Sequence, residues 1–101
     1  MKFNFGDVIL AEVQFLDTFE IKTRPVLVLF EEFGNIVVTG ITSNLKMKGV
    51  SLTTKEGMPK ESIIKINYIF TISEKMVKRY LFHLNEKKKN MVKNEILSRI
   101  K

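Results

Sequence analysis

The side chains best suited to chemistry lie in two short segments of this chain. Lys22-Thr23-Arg24-Pro25 heads an apolar run that continues to Phe30, and Thr42-Ser43-Asn44 ends the next one. A guanidinium stays charged at any physiological pH and offers a planar fork of donors that fits two phosphate oxygens. A hydroxyl placed near it adds a hydrogen bond to the same group. The pair could therefore hold a phosphate and stabilise negative charge developing on it. Proton transfer would need a further group, and Glu20, in the loop before Arg24, is the carboxylate placed to supply it. His83 is the single histidine and lies in the apolar segment Tyr80-Leu81-Phe82-His83-Leu84. That setting reads as a packed or partly exposed structural histidine, with no second histidine for an acid–base pair.

Each of these residues also has a plainer reading. Arg24 could be a strand-edge cation paired with Glu20 or Glu12, and Thr42 and Ser43 could simply close a strand. Lys22, Lys46 and Lys48 could track a nucleic-acid backbone or be solvated loop lysines. Tyr68 could stack on a base or belong to the core.

Composition narrows the choice. The chain has 101 residues, a formal net charge of +6 and no cysteine. That length suits one domain with a modest core, here taken as residues 1–101. Without cysteine there is no disulfide framework, no thiolate nucleophile and no zinc–thiolate cage. The charge favours an anionic partner, nucleic acid first. Its excess gathers after residue 74, in Lys75, Lys78, Arg79, Lys87 to Lys89, Lys93, Arg99 and Lys101. The runs Val8 to Ala11 and Pro25 to Phe30 are too short to span a bilayer, and the start of the chain does not read as a signal peptide. A cytoplasmic protein is the expectation.

The elements that must position the candidate site are mostly strands. Asp7 to Phe15, Pro25 to Glu31, Ile36 to Ile41, Val50 to Thr53, Ser62 to Ile66 and Tyr68 to Ile72 have strand character. Pro25 is expected at the first strand position, Asp17 to Thr23 in a loop, and Phe33-Gly34-Asn35 in a hairpin turn. Lys46 to Gly49 and Lys55 to Pro59 read as further loops and turns. Ser73 would cap a short helix from Glu74 to about Arg79, followed by a strand from Tyr80 to Leu84. Asn85 would cap a last helix reaching about Ile100, with Val92, Ile96 and Ile100 on one stripe and lysines opposite. The fold class is mainly β: a small curled barrel covered by the C-terminal helix.

The order Gly6-Asp7-Val8-Ile9-Leu10, a polar loop, Thr23-Arg24-Pro25-Val26-Leu27-Val28-Leu29, and then Ile41-Thr42-Ser43 resembles the PemK/MazF family of toxin ribonucleases. The resemblance runs on through Ser62-Ile63-Ile64 and Phe70-Thr71-Ile72 to Leu84-Asn85-Glu86 and so covers nearly the whole chain. It implies an SH3-like barrel of the CcdB/PemK kind, acting as a homodimer. It also implies metal-independent cleavage of single-stranded RNA and neutralisation by a cognate antitoxin. Arg24 matches the family's catalytic arginine and Thr42 its hydroxyl residue, with Ser43 beside it. Glu20 is the candidate base; Lys22, Ser43, Lys46, Lys48 and Tyr68 are the candidate substrate-binding residues, with no metal or other cofactor. One departure stands out: where many members carry Gln-Ile-Arg, this chain has Tyr68-Ile69-Phe70. Two other functions stay open, a gyrase-directed toxin of the same fold and a non-catalytic nucleic-acid-binding barrel.

Overall fold

The computed structural model describes residues 3–14 and 20–100. Among these residues, six strands form one antiparallel sheet: β1 (Asp7–Gln14), β2 (Ile21–Glu32), β3 (Asn35–Thr42), β4 (Val50–Leu52), β5 (Ser62–Ser73) and β6 (Val77–His83). Their order across the sheet is β4-β5-β3-β2-β1-β6. One helix, α1 (Glu86–Arg99), follows, and single 3-10 turns span Thr54–Glu56 and Glu74–Met76.

Local chemistry explains the hairpins. Phe33 and Gly34 both take positive φ, 52° and 79°, as a two-residue turn between right-twisted strands requires. Asn35, expected in that turn, instead opens β3 opposite Glu32. Strand β2 starts at Ile21, four residues earlier than the apolar run suggested, because Gln14 to Leu10 of β1 pair with Ile21 to Pro25. Pro25 is therefore inside the strand. It lies one residue past the last β2–β3 pair, Val26–Gly40, so its missing N–H leaves no gap in that ladder. The expected strand residue Phe15 and residues 17–19 of the expected Asp17 to Thr23 loop lie outside the described residues, whereas Ile21 to Thr23 of that loop are strand.

The strands expected at Ser62 to Ile66 and Tyr68 to Ile72 form a single β5, bent in the middle. Its pairing with β3 jumps from Gly40–Lys65 to Thr39–Ile69, leaving Ile66, Asn67 and Tyr68 unmatched. The Thr39 hydroxyl donates to the Lys65 carbonyl across the break. Such a bulge bends its strand and curls the sheet. Apolar side chains consequently pack on both faces. One core gathers Val8, Leu27, Ile41, Leu52, Ile64 and Val92; the other gathers Ile9, Val13, Val26, Val28, Ile36 and Val38.

The helix expected from Glu74 to about Arg79 is only the turn Glu74–Met76, capped by the Ser73 hydroxyl accepting from Lys75 N at 3.2 Å. Val77 to Arg79 belong instead to β6, paired with Ala11 and Leu10 of β1. A vacant sheet edge satisfies more backbone groups than one extra helical turn would. Helix α1 begins as expected, with Asn85 Oδ1 accepting from Lys88 N at 2.8 Å. Val92 is fully buried and Ile96 packs beside it, whereas Ile100 lies past the last turn and is exposed. Lys88 ties the helix to β4 by donating to the Ser51 carbonyl at 2.6 Å.

A polar clasp holds the other side of the helix. Asp7 accepts from Asn4 N (2.8 Å) through Oδ2 and meets His83 Nδ1 (2.8 Å) through Oδ1. Lys89 Nζ lies 3.1 Å from His83 Nε2 and 2.8 Å from a Glu86 carboxylate oxygen. Lys89 donates to Nε2, so the geometry assigns the imidazole proton to Nδ1, facing Asp7. The hydrogen bond and charge of Lys89 lower the Glu86 pKa below the ordinary carboxylate range. Gly6 permits this packing. Its φ is +100°, and a Cβ there would stand 2.5 Å from Lys89 Cδ.

Candidate active site

One face of the sheet passes from core to groove along two neighbouring strands. On β2 it carries Val28, Val26 and then Arg24; on β3 it carries Val38, Gly40 and then Thr42. Val28 pairs with Val38 and Val26 with Gly40, and the ladder then stops. Arg24 and Thr42 are the next residues on that face, at the point where the strands part. They open a groove of about 430 Å³ also lined by Val13, Val26 and Ile41. Ser43, Lys65, Tyr68 and Phe70 line it further, with Met58, Pro59 and Lys60 along its wall.

The polar groups of the groove are oriented locally. Thr42 Oγ1 accepts from Asn44 N at 3.1 Å, which leaves its hydroxyl hydrogen to donate elsewhere. Asn44 Oδ1 in turn accepts from Lys46 N at 3.1 Å, shaping the loop after β3. Tyr68, in the unmatched stretch of β5, lies against Gly40, where a Cβ would stand 2.7 Å from its Cδ2. Its ring centroid is 4.9 Å from that of Phe70, with the planes tilted by 41°. Lys65 Nζ sits over the Tyr68 ring, 5.2 Å from its centroid.

Of the residues singled out from sequence, the groove brings together Arg24, Thr42, Ser43 and Tyr68. Glu20, Lys22, Lys46 and Lys48 do not line it. Glu20 pairs with Lys22 at 3.2 Å, and Lys22 shares a strand face with Arg24 two residues on. Glu12, the other candidate partner of Arg24, pairs with Lys78 at 2.6 Å. Lys46 and Lys48 are exposed in the loop after β3. His83 stands in the clasp beside α1 and does not line the groove. Sequence reading missed Lys65, although one signal was present: it is the lone cation in the apolar run Ile63-Ile64-Lys65-Ile66. Among the described residues, no group of three or more His, Cys, Asp or Glu side chains converges as a metal site would need.

Among the described residues, a curled antiparallel sheet followed by one C-terminal helix, with Arg24, Thr42 and Ser43 in one groove where β2 and β3 part, defines a small, mainly β barrel protein. The model of the PemK-like, MazF-like toxins of type II toxin–antitoxin systems matches residues 4–99. The chain belongs to that family and is the toxin of such a system. The fold is that of solved toxins. Mycobacterium tuberculosis toxin MazF-mt6 superposes with a TM-score of 0.77 at 20% identity, over 91% of this chain and 93% of that one. A MazE–MazF structure from Deinococcus radiodurans gives 0.75 at 14% identity, over 97% and 95% of the two chains. An endoribonuclease in complex with its cognate antitoxin, from a mycobacterial species, gives 0.64 at 14% identity, over 95% of each. No significant match is found among curated proteins. No helix among the described residues is long and apolar enough to cross a membrane.

Proposed function

We propose that this toxin is a metal-independent endoribonuclease that cleaves single-stranded RNA in the cytoplasm. The observation that carries the reading is the convergence of Arg24 from β2 with Thr42 at the end of β3 and Ser43 just after it on one groove. In this chemistry the RNA 2′-hydroxyl attacks the adjacent phosphorus and the bond to the 5′-oxygen breaks. The products are a cyclic phosphate and a free 5′-hydroxyl. Arg24 neutralises charge on the phosphorane oxygens, and the Thr42 hydroxyl donates to one of them. Glu20 is the candidate acceptor of the 2′-hydroxyl proton, and Arg24 protonates the leaving 5′-oxygen as the bond to phosphorus breaks and regains its proton from solvent.

Tyr68 and Ser43 contact the substrate nearest the reacting phosphate, while Lys22, Lys46 and Lys48 serve its outer backbone. The reading carries a homodimer and a cognate antitoxin as partners, consistent with the antitoxin-bound relatives. The test is cleavage of varied RNAs by antitoxin-free protein in EDTA. Arg24→Ala should keep the fold and lose about 10²–10³ in rate, the usual effect of removing one oxyanion donor. Wild-type protein that binds these RNAs and leaves them intact would refute catalysis in favour of a binding barrel. Inhibition of gyrase supercoiling by the same preparation would favour the gyrase-directed alternative.

A further inference from the structure

The groove contains a cation that the arginine–hydroxyl chemistry does not use. Lys65 lies on β5, paired with Gly40 across the bulge, and its ammonium rests over the Tyr68 ring. Among the described residues no carboxylate forms an ion pair with it. The position is two strands from Arg24 and one same-face step along, a Cα separation of roughly 12 Å by ordinary strand spacings. Two long cationic side chains at that separation can reach phosphates one or two nucleotides apart. Tyr68, backed by Gly40 and Phe70, lies on the Lys65 side of the groove and is half-buried.

We propose that Lys65 and Tyr68 form a second nucleotide subsite, in which Lys65 binds a phosphate beside the reacting one and Tyr68 stacks the base between them. The proposal rests on the nucleic-acid reading of the groove but not on its cleaving anything. In the free protein Lys65 is parked on the tyrosine ring, a weak contact for a solvated ammonium. A phosphate oxygen is a stronger partner, because both members of that hydrogen bond are charged. Transfer of the ammonium to phosphate uncovers the ring for a base, so one strand gains both contacts together. Lys65 is thus a positioning residue for substrate, and the groove takes a run of at least two nucleotides.

The experiment uses a short 2′-deoxy oligonucleotide, which lacks the attacking hydroxyl, so binding is read apart from cleavage. Lys65→Met should lower the slope of log affinity against log salt by about 0.7, the contribution of one phosphate contact to a single strand, and Lys65→Arg should keep it. The chain has no tryptophan and two tyrosines, so Tyr80→Phe leaves Tyr68 as its fluorescent reporter. Oligonucleotide binding should quench that emission in the Tyr80→Phe protein and quench it less when Lys65→Met is added. An unchanged salt slope in Lys65→Met, with its melting temperature also unchanged, would overturn the subsite even if the wild type cleaves RNA. A loss confined to an acidic peptide, with oligonucleotide binding intact, would overturn it in favour of a protein ligand. If wild type proves inactive on RNA while the slope still depends on Lys65, the subsite stands and only the cleavage reading falls.

Discussion

Replacing His83 with alanine separates a structural histidine from a catalytic one. In the fold, His83 Nδ1–H meets Asp7 Oδ1 at 2.8 Å, and the Asp7 side chain is only 11% exposed. His83→Ala leaves that oxygen without its donor, while Oδ2 keeps the Asn4 amide at 2.8 Å. An unsatisfied buried acceptor costs about 1–3 kcal/mol. The imidazole is 40% exposed, so water can follow it out and partly replace the bond. The lower end, about 1 kcal/mol, is therefore expected; Lys89 loses one acceptor but keeps Glu86. For a domain of this size that corresponds to a fall of about 4–8 °C in Tm. The assay is thermal denaturation by circular dichroism, paired with RNA cleavage at a temperature where both proteins are folded. Cleavage per folded molecule should match wild type, and combining His83→Ala with Asp7→Asn should cost less than the sum. Abolished cleavage in a fully folded variant would refute the reasoning and make His83 part of the reaction. An unchanged Tm would refute it differently, by showing that the clasp contributes nothing.

Gly40→Ala should destabilise the protein by about 1–3 kcal/mol, because the new methyl meets the Tyr68 ring at 2.7 Å. Tyr68→Ala should relieve much of that cost in the double variant, and additive denaturant midpoints would show that the clash lies elsewhere. The acid limb of stability should reflect Glu86, whose folded pKa is lowered by Lys89. A carboxyl depressed in the folded state contributes stability above its unfolded pKa and loses it as pH falls through the folded value. Glu86→Gln should therefore be less stable than wild type at neutral pH, with the difference vanishing in acid. Denaturant midpoints across that range, parallel at every pH, would contradict this.

Much of the strand plan was legible because its signals are local. Phe33-Gly34 marks a turn by residue type, Asn85 marks a helix start, and Val26 to Val28 form an apolar run buried in the sheet. The misread segments share a cause. Ile21 to Thr23 and Val77 to Arg79 are strands because β1 offers both of its edges to them. No local propensity records which backbone groups elsewhere need partners. Ile100 fits the apolar stripe of α1 by spacing, yet the helix ends before it can be buried.

The candidate site divides the same way. The residue types of Thr23-Arg24-Pro25 and Ile41-Thr42-Ser43 were enough, with Gly6-Asp7, to indicate the family, and the phosphate chemistry we propose starts from the same residue types. That chemistry belongs to functional groups, and a guanidinium or a hydroxyl brings it wherever it sits. The tertiary structure alone decided which groups share a groove. The β2–β3 register brings Arg24 and Thr42 to one face, and the bulge in β5 carries Tyr68 over Gly40 with Lys65 upon it. Strand pairing and bulges are set by contacts between distant segments. A side chain's reactivity can therefore be read from its type, but its companions only from the folded chain.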